Sequence, residues 1–221
     1  MPEAQNPFPT IALDQVFAGY TPERPVFEDA SFTLTGPALV HVKGSNGSGK
    51  STLVELVSGY LRPWQGKVIV SGLSASDPNS RDKRRICRSE PSLFAPMTAK
   101  DHIRFACIAR DSDPGPELDR AIRLGMGEWL DENAGNLSTG NTRKLWYLMN
   151  TVGNFDTVML DEPFNGVDAH GAHAMAAEIR SWVKTKLVVI ITHSLQDLLP
   201  EAKSVSLEEL VSGHRGAGAR K

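Results

Sequence analysis

The sequence Gly44-Ser45-Asn46-Gly47-Ser48-Gly49-Lys50-Ser51-Thr52 carries more structural information than any other part of the chain. It matches the phosphate-loop pattern G-x-x-x-x-G-K-[ST], which is meaningful when a strand precedes it and a helix follows it. Residues 38–42 form an apolar run with β-branched side chains, which predicts a buried strand. A helix that begins near Ser51 is predicted by apolar residues at helical spacing, namely Leu53, Leu56, Val57 and Tyr60.

The residue types in this loop suit the binding of a nucleotide. Its glycines allow the backbone to bend tightly and turn successive N–H groups inward, which forms an anion site at a helix N-terminus. Lys50 adds a positive charge for the β- and γ-phosphates, and the Ser51 hydroxyl suits Mg²⁺, which prefers oxygen ligands. The predicted ATP-binding residues are therefore Gly44, Ser45, Asn46, Gly47, Ser48, Gly49, Lys50, Ser51 and Thr52.

Length and composition exclude several classes of protein. A chain of 221 residues with 40% apolar content is ordinary for a globular protein of one domain or two small ones. A formal net charge of −2 provides no basic field for nucleic acid, so we expect no nucleic-acid partner. Cys87 and Cys107 lack metal-type spacing, and the proline-rich start lacks the features of a signal peptide. The most apolar run, Leu187 to Ile191, is too short to cross a bilayer.

Strands and helices alternate along the chain, which predicts an α/β protein. Near-continuous apolar strands separated by helices favour a parallel sheet covered on both faces. The predicted strands are 11–17, 30–35, 38–42, 67–70, 157–160 and 187–191. Helices are predicted within 98–130, over 141–152, and around Met175, Ile179 and Trp182. His102 and the charged run from Arg81 to Arg85 are expected at the surface.

Polar side chains stand where two of the apolar strands end. Asp161 and Glu162 follow Val158-Met159-Leu160, and His193 follows the strand 187–191. Ligands of parallel sheets bind at the carboxyl ends of strands, where the phosphate loop also lies. Asp161 would accept a hydrogen bond from water on Mg²⁺, Glu162 would polarise the attacking water, and His193 would contact the γ-phosphate. A histidine at a strand end would be uninformative if it stood alone.

These residues resemble the nucleotide-binding subunits of ATP-binding-cassette (ABC) transporters. The resemblance covers residues 11–200 and follows the family's order of motifs. Its most specific element is Leu137-Ser138-Thr139-Gly140-Asn141, which is similar to the family signature Leu-Ser-Gly-Gly-Gln. The other matches are Walker A at 44–52, Walker B with the catalytic glutamate at 158–163, the D-loop at 165–168 with Asp168, the switch histidine at His193, and the adenine-stacking aromatic at Tyr20.

The resemblance implies a fold and a domain organisation. The fold would be the P-loop NTPase fold of ABC ATPases: a RecA-like parallel-sheet core, an antiparallel β subdomain and a helical subdomain inserted at about residues 90–152. Residues 11–211 would form a single nucleotide-binding domain. Residues 1–10 would be an N-terminal tail, and residues 212–221, rich in glycine and basic residues, are predicted to be disordered.

The resemblance also implies a mechanism and partners. Two such domains face each other head to tail, so Ser138, Thr139 and Gly140 would act on ATP held by the other protomer. ATP and Mg²⁺ would be the cofactors, and Glu162 and His193 the catalytic residues. Hydrolysis would power transport through separate transmembrane subunits, with the chain peripheral on the cytoplasmic face of the membrane. The signature region and D-loop look like the exporter branch of the family.

Other functions remain open at this level. A soluble ABC-type ATPase acting on ribosomes or nucleic acid would typically fuse two cassettes through a charged linker. A P-loop GTPase would show an Asn-Lys-x-Asp-type base reader, which the chain lacks. A kinase would not need residues 137–140, and a non-catalytic binding module would not need both Glu162 and His193.

The chain departs from the family pattern at three positions. Ser89 stands where the family has a glutamine that reaches Mg²⁺, so a bridging water or Glu90 would have to complete the contact. Thr139 and Asn141 replace a glycine and the glutamine of the signature, but Ser138 and Gly140 are kept. Leu93, Phe94 and Met97 lie where the family forms its groove for a coupling helix of the membrane subunit, and plain packing is the alternative.

We predict slow but working hydrolysis, limited by the short side chain at position 89. The variant Ser89→Gln should hydrolyse ATP faster, or couple hydrolysis to transport more tightly, because the longer amide reaches the metal directly. Measured ATP turnover of the two proteins tests this. No rise in rate or in coupling would contradict the role given to Ser89.

Overall fold

The computed structural model describes residues 8–193 and 197–212. Most of the predicted N-terminal tail (1–10) and nearly all of the C-terminal tail (212–221) lie outside the described residues. Within the described part, the strands are β1 (Thr10–Thr21), β2 (Arg24–Thr35), β3 (Ala38–Lys43), β4 (Gln65–Val70), β5 (Leu73–Ser74), β6 (Arg84–Cys87), β7 (Thr157–Asp161), β8 (Leu187–Ile191) and β9 (Lys203–Ser206). The helices are α1 (Lys50–Ser58), α2 (Ser80–Lys83), α3 (Ala99–Ile108), α4 (Pro114–Arg123), α5 (Thr139–Asn150), α6 (Ala169–Trp182) and α7 (Leu207–Ser212).

Five of these strands form a parallel sheet in the order β6-β7-β8-β3-β9. The middle of β7 and the whole of β8 are apolar, as the near-continuous hydrophobic runs predict, because both faces of the sheet are covered. Successive side chains point to opposite faces, so Val188 and Ile190 enter one hydrophobic core while Leu187, Val189 and Ile191 enter the other.

The remaining strands form an antiparallel sheet in the order β2-β1-β4-β5. This sheet and α1 cover one face of the parallel sheet, and both contribute side chains to the same core. Helices α3 to α6 contribute to the core on the other face. The predicted α/β class, with a parallel core and an added antiparallel sheet, is confirmed.

Three helices interrupt the alternation of strands between β6 and β7. Their starts have local causes in the sequence. Thr98, Asp113 and Ser138 precede α3, α4 and α5, and each side chain accepts a hydrogen bond from a backbone N–H of the first turn. None of the helices in the described ranges combines the length and apolar character that crossing a bilayer requires.

A buried ion cluster joins α4, α5 and α6. The guanidinium of Arg120 donates from Nε to Glu178 Oε1 at 2.8 Å and from Nη2 to Glu178 Oε2 at 2.8 Å. It also contacts Glu117, and the Tyr147 hydroxyl donates to Glu178 Oε2 at 2.7 Å. Burial lowers the pKa of Arg120, but the Glu178 carboxylate outweighs that effect and the net pKa rises. The cluster ties together the helices that pack on one face of the parallel sheet.

The expectation that His102, Arg84 and Arg85 lie at the surface is wrong, since all three are buried. His102 donates from Nδ1 to the Thr98 carbonyl at 2.8 Å and accepts at Nε2 from the Phe94 N–H at 3.0 Å. Arg84 donates to the Ser58 carbonyl at the end of α1, and Arg85 donates to the carbonyls of Val152 and Asn154 beyond α5. These basic side chains can be buried because backbone carbonyls of loop and helix-end residues accept their hydrogen bonds.

The buried ion cluster predicts that two similar Glu→Gln substitutions lower the free energy of unfolding by different amounts. Glu178→Gln should lower the free energy of unfolding by about 3 kcal/mol, because it leaves the buried Arg120 with a weakened partner set. Urea unfolding followed by circular dichroism measures the loss.

Glu201→Gln is the matched control, because Glu201 pairs with Arg180 at 2.7 Å while both side chains are about half exposed. Its cost should be below about 1 kcal/mol. Equal losses for the two variants would contradict the structural importance of the buried cluster.

Candidate functional site

The phosphate loop connects the end of β3 to the start of α1. Gly49 caps α1 in the left-handed conformation, with φ 98° and ψ 12°. A side chain there would be strained by the positive φ, and its Cβ would lie 2.7 Å from Val26 Cγ1. The Gly49 carbonyl accepts the first hydrogen bond of the helix, from the Leu53 N–H at 2.8 Å. The turn from strand to helix therefore depends on glycine at this position.

Two side chains hold the loop from opposite sides of Ser45. Lys50 Nζ donates to the carbonyls of Gly44 and Ser45, both at 2.7 Å. Glu208, on α7, accepts from the Ser45 N–H and hydroxyl, both at 2.9 Å. The Ser45 N–H lowers the pKa of Glu208 to about 2, so this carboxylate is ionised at neutral pH. The loop is thus shaped within the protein by contacts of its own chain.

Strand β7 delivers two carboxylates to the same edge of the sheet. Burial raises the pKa of Asp161 above its usual value, while hydrogen bonding from Ser89 opposes this shift and the neighbouring Glu162 adds to it. Glu162 has φ 48°, a left-handed conformation that non-glycine residues rarely adopt. This kink comes directly after β7, at the residue next to Asp161.

The loop after β8 lies against Glu162. Thr192 donates from Oγ1 to Glu162 Oε2 at 2.8 Å. His193 Nε2 lies 3.7 Å from Glu162 Oε1, and the His193 side chain is 70% exposed. Each carboxylate oxygen of Glu162 therefore faces a different residue of this loop.

A cavity of about 440 Å³ brings these groups together. Three residues with side-chain oxygens line it, namely Ser51, Asp161 and Ser89. Such a set of metal ligands suits Mg²⁺, which prefers hard oxygen ligands. Tyr20 stands at its side with 66% of its surface exposed, as an aromatic that stacks on a base would require. The lining residues are Tyr20, Val26, Asn46, Gly47, Gly49, Lys50, Ser51, Thr52, Ser89, Asp161, Glu162, Ile191 and His193.

The signature residues lie apart from this cavity. Ser138 caps α5, with its Oγ accepting from the Asn141 N–H at 3.2 Å, and both Ser138 and Thr139 are exposed. A Cβ on Gly140 would lie 2.7 Å from the Gly166 carbonyl, so the start of α5 packs directly on the loop after Glu162. Gly140 therefore packs on the loop after Glu162, whereas Ser138 and Thr139 do not line the cavity beside the phosphate loop.

Asp168 connects α5 to α6. Its carboxylate accepts from the Gly171 N–H at 2.9 Å, which caps α6, and from Lys144 Nζ at 2.8 Å. Lys144 lies on α5 and is buried. The hydrogen bond from Lys144 lowers the pKa of Asp168 to about 2. The D-loop residue therefore has a structural contact within the chain besides any role toward a second protomer.

Three residues of the site have no counterpart in the sequence analysis. Val26 packs beside Gly49, and Glu208 holds Ser45 from a distant part of the chain. No local pattern marks either residue, because each meets the loop only through tertiary packing. Thr192 had a possible signal, since it immediately precedes His193 at the end of an apolar strand.

The chain matches known proteins in both sequence and fold. A family model described as ABC transporter matches residues 27–165. The chain is 29% identical over 195 residues to ATP-binding cassette sub-family A member 10 of Homo sapiens, covering 84% of this chain and 12% of that protein. It is 30% identical over 201 residues to an ABC transporter ATP-binding protein of Pyrococcus furiosus, covering 86% of this chain and 74% of that protein. The chain thus spans a small part of the human relative and most of the archaeal one.

A solved structure described as the ATP binding subunit of an ABC transporter superposes with a TM-score of 0.79. The match covers 89% of this chain and 85% of that chain at 22% sequence identity. At this identity the likeness speaks for the fold, and it confirms the ABC ATPase fold predicted from the resemblance.

The glycine geometry predicts a difference between two substitutions in one loop. Gly49→Ala should lower the free energy of unfolding by roughly 3 kcal/mol, because the strain of a positive φ adds to overpacking against Val26. Urea unfolding without nucleotide measures this loss.

Gly47→Ala is the control, because Gly47 has φ 83° but nothing lies within 4 Å of its added Cβ. Strain alone should cost about 1 kcal/mol there. A larger loss for Gly47→Ala than for Gly49→Ala would contradict the packing argument.

Proposed function

The chain belongs to the ABC transporter family, and we propose that it binds ATP between two protomers and hydrolyses it to drive transport through transmembrane partner subunits. One observation carries this proposal. The phosphate loop, Asp161, Glu162 and His193 share one cavity, whereas the exposed Ser138 lies elsewhere on the same chain. A site that needs the signature is therefore completed by a second protomer, head to tail.

The proposed roles of the residues follow from their chemistry. Backbone N–H groups of residues 44–52 and the Lys50 ammonium bind the phosphates, and Tyr20 stacks on the adenine. Ser51 and Asp161 would hold Mg²⁺, Asp161 through water, and Ser89 would assist by its hydrogen bond to Asp161. Mg²⁺, when bound, neutralises charge on the phosphate oxygens. The Lys50 ammonium has three N–H donors and gives two of them to the carbonyls of Gly44 and Ser45, which leaves its third for a phosphate.

Glu162 and His193 are the proposed catalytic residues. The Glu162 carboxylate accepts a proton from the attacking water and orients it, and His193 contacts the γ-phosphate beside it. Ser138, Thr139 and Gly140 of the second protomer face that phosphate with the N-terminus of α5, where the helix dipole favours negative charge. Asp168 stands at the protomer contact and ties α5 to α6.

The proposal extends to domain organisation and location. Residues 11–211 form one nucleotide-binding domain, with its helical part at about 90–152 and tails at 1–10 and 212–221. The chain works at the cytoplasmic face of a membrane beside transmembrane subunits, as an exporter component, with no nucleic acid as partner. Action on ribosomes or nucleic acid is the second candidate, but a net charge of −2 does not favour it.

Mixing two inactive variants tests the shared site. Glu162→Gln removes the general base, and Ser138→Arg blocks the signature, so each variant alone should lose ATP turnover. In a mixed dimer, one site combines the unchanged Glu162 of the Ser138→Arg protomer with the unchanged Ser138 of the Glu162→Gln protomer. That site is complete, whereas the other site carries both substitutions. If protomers pair at random, the mixture should recover about a quarter of the wild-type rate.

The controls are each variant alone, measured at the same total protein concentration by phosphate release. Full turnover by Ser138→Arg alone, or an inactive mixture, would contradict a site shared between protomers. Turnover by Glu162→Gln alone would remove Glu162 from its proposed role.

A further inference from the structure

We propose that His41, acting through Thr192, is a positioning residue that fixes the Glu162 carboxylate and the His193 loop for catalysis. This inference rests on the proposed ATPase function and assigns a role to a buried histidine that the mechanism above does not use. His41 belongs to β3, the strand that leads into the phosphate loop. It would link the phosphate-binding strand to the catalytic loops.

The first link is a buried hydrogen bond between neighbouring strands. His41 is 4% exposed, and its Nε2 lies 2.8 Å from the Thr192 carbonyl oxygen. Because a carbonyl only accepts hydrogen bonds, Nε2 carries the proton and donates. His41 is paired with Ile190 in the parallel register of β3 and β8, so its ring reaches the residues just beyond the end of β8. A buried imidazole is costly unless it is hydrogen-bonded, so this contact restrains both partners.

The second link runs from Thr192 to the catalytic carboxylate. Thr192 Oγ1 donates to Glu162 Oε2 at 2.8 Å, and the Glu162 N–H donates to the Ile191 carbonyl at 2.8 Å. The backbone and the side chain of Glu162 are therefore both held by the end of β8. Glu162 needs such restraint because its φ of 48° is a strained conformation that the surroundings must impose.

The consequence concerns which oxygen of Glu162 is available. Thr192 occupies Oε2, and Oε1 lies toward His193, which faces the cavity. Without the hydroxyl of Thr192 the carboxylate could rotate about its side-chain torsions, and the water it orients would lose its position. Positioning of this kind affects turnover more than nucleotide affinity, because the phosphate loop binds ATP by other groups.

Two matched pairs of variants separate positioning from simple packing. Thr192→Ser keeps the hydroxyl and Thr192→Val keeps the shape without it. His41→Gln keeps an N–H donor at a similar distance along the side chain, and His41→Leu removes the donor while filling the space. We expect kcat for ATP hydrolysis to fall roughly tenfold or more in Thr192→Val and His41→Leu, with KM within about twofold of wild type. Thr192→Ser and His41→Gln should keep most of the rate.

A second measurement tests whether Thr192 acts through Glu162. The residual single-turnover hydrolysis that remains in Glu162→Gln, at high enzyme concentration and over long times, is compared with and without Thr192→Val. Because residues that act as one unit are not additive, the double variant should be no slower than Glu162→Gln alone. ATP affinity and the thermal midpoint of every variant are measured on the same preparations, so that a folding defect is recognised.

The outcomes distinguish this inference from the proposed function. If wild type shows no turnover, or if Glu162→Gln is fully active, the proposed function fails and the inference fails with it. If Glu162→Gln keeps only a small residual rate as expected but Thr192→Val and His41→Leu turn over like wild type, the positioning role alone is overturned. It is also overturned if the loss appears in ATP affinity instead of kcat, or if Thr192→Val slows the Glu162→Gln protein further.

Discussion

Parallel hydrogen bonding among β7, β8 and β3 is the constraint on which the site depends. Because the three strands run in one direction, their carboxyl ends meet at one edge, and each end carries a different polar element. Asp161 ends β7 and Glu162 follows it, Thr192 and His193 follow β8, and the phosphate loop follows β3. The apolar strands bury both faces of the sheet and thereby hold its edge rigid, so polar groups separated by more than a hundred residues in sequence remain within hydrogen-bonding reach.

Two residues at this edge have left-handed backbone conformations. Gly49 adopts a left-handed conformation where the chain turns from β3 into α1. Glu162 adopts one too, although its Cβ makes that conformation unfavourable. Such conformations persist only where surrounding contacts impose them. The hydrogen bonds that the end of β8 makes with the backbone and side chain of Glu162 supply that restraint. Rigid strands and strained turns together place the carboxylate at the cavity.

The surface proposed to meet a second protomer packs against the segment that follows Glu162. Gly140 packs on the Gly166 carbonyl, and Lys144 and Asp168 connect the signature helix to α6. The buried cluster of Arg120 and Glu178 then joins α4 and α5 to the same helix. Helix α5 is therefore in direct contact with the segment that follows Glu162 and is tied to α6 at both places.

The local chemistry of the chain was sufficient to predict the α/β architecture, the strand, loop and helix around Lys50, and the polar ends of the apolar strands. These features depend on short-range causes: glycine conformation, hydrophobic periodicity and helix capping. Contacts between distant segments were beyond such reasoning. The burial of Arg84, Arg85 and His102 was mispredicted because their charge and polarity suggest solvent, whereas the folded chain offers them carbonyl and N–H partners. The same holds for the hydrogen bonds from Ser45 to Glu208 and for those that connect His41 to Glu162 through Thr192. These contacts form only when the strands pair, because the register of the sheet brings together residues that are far apart in the sequence.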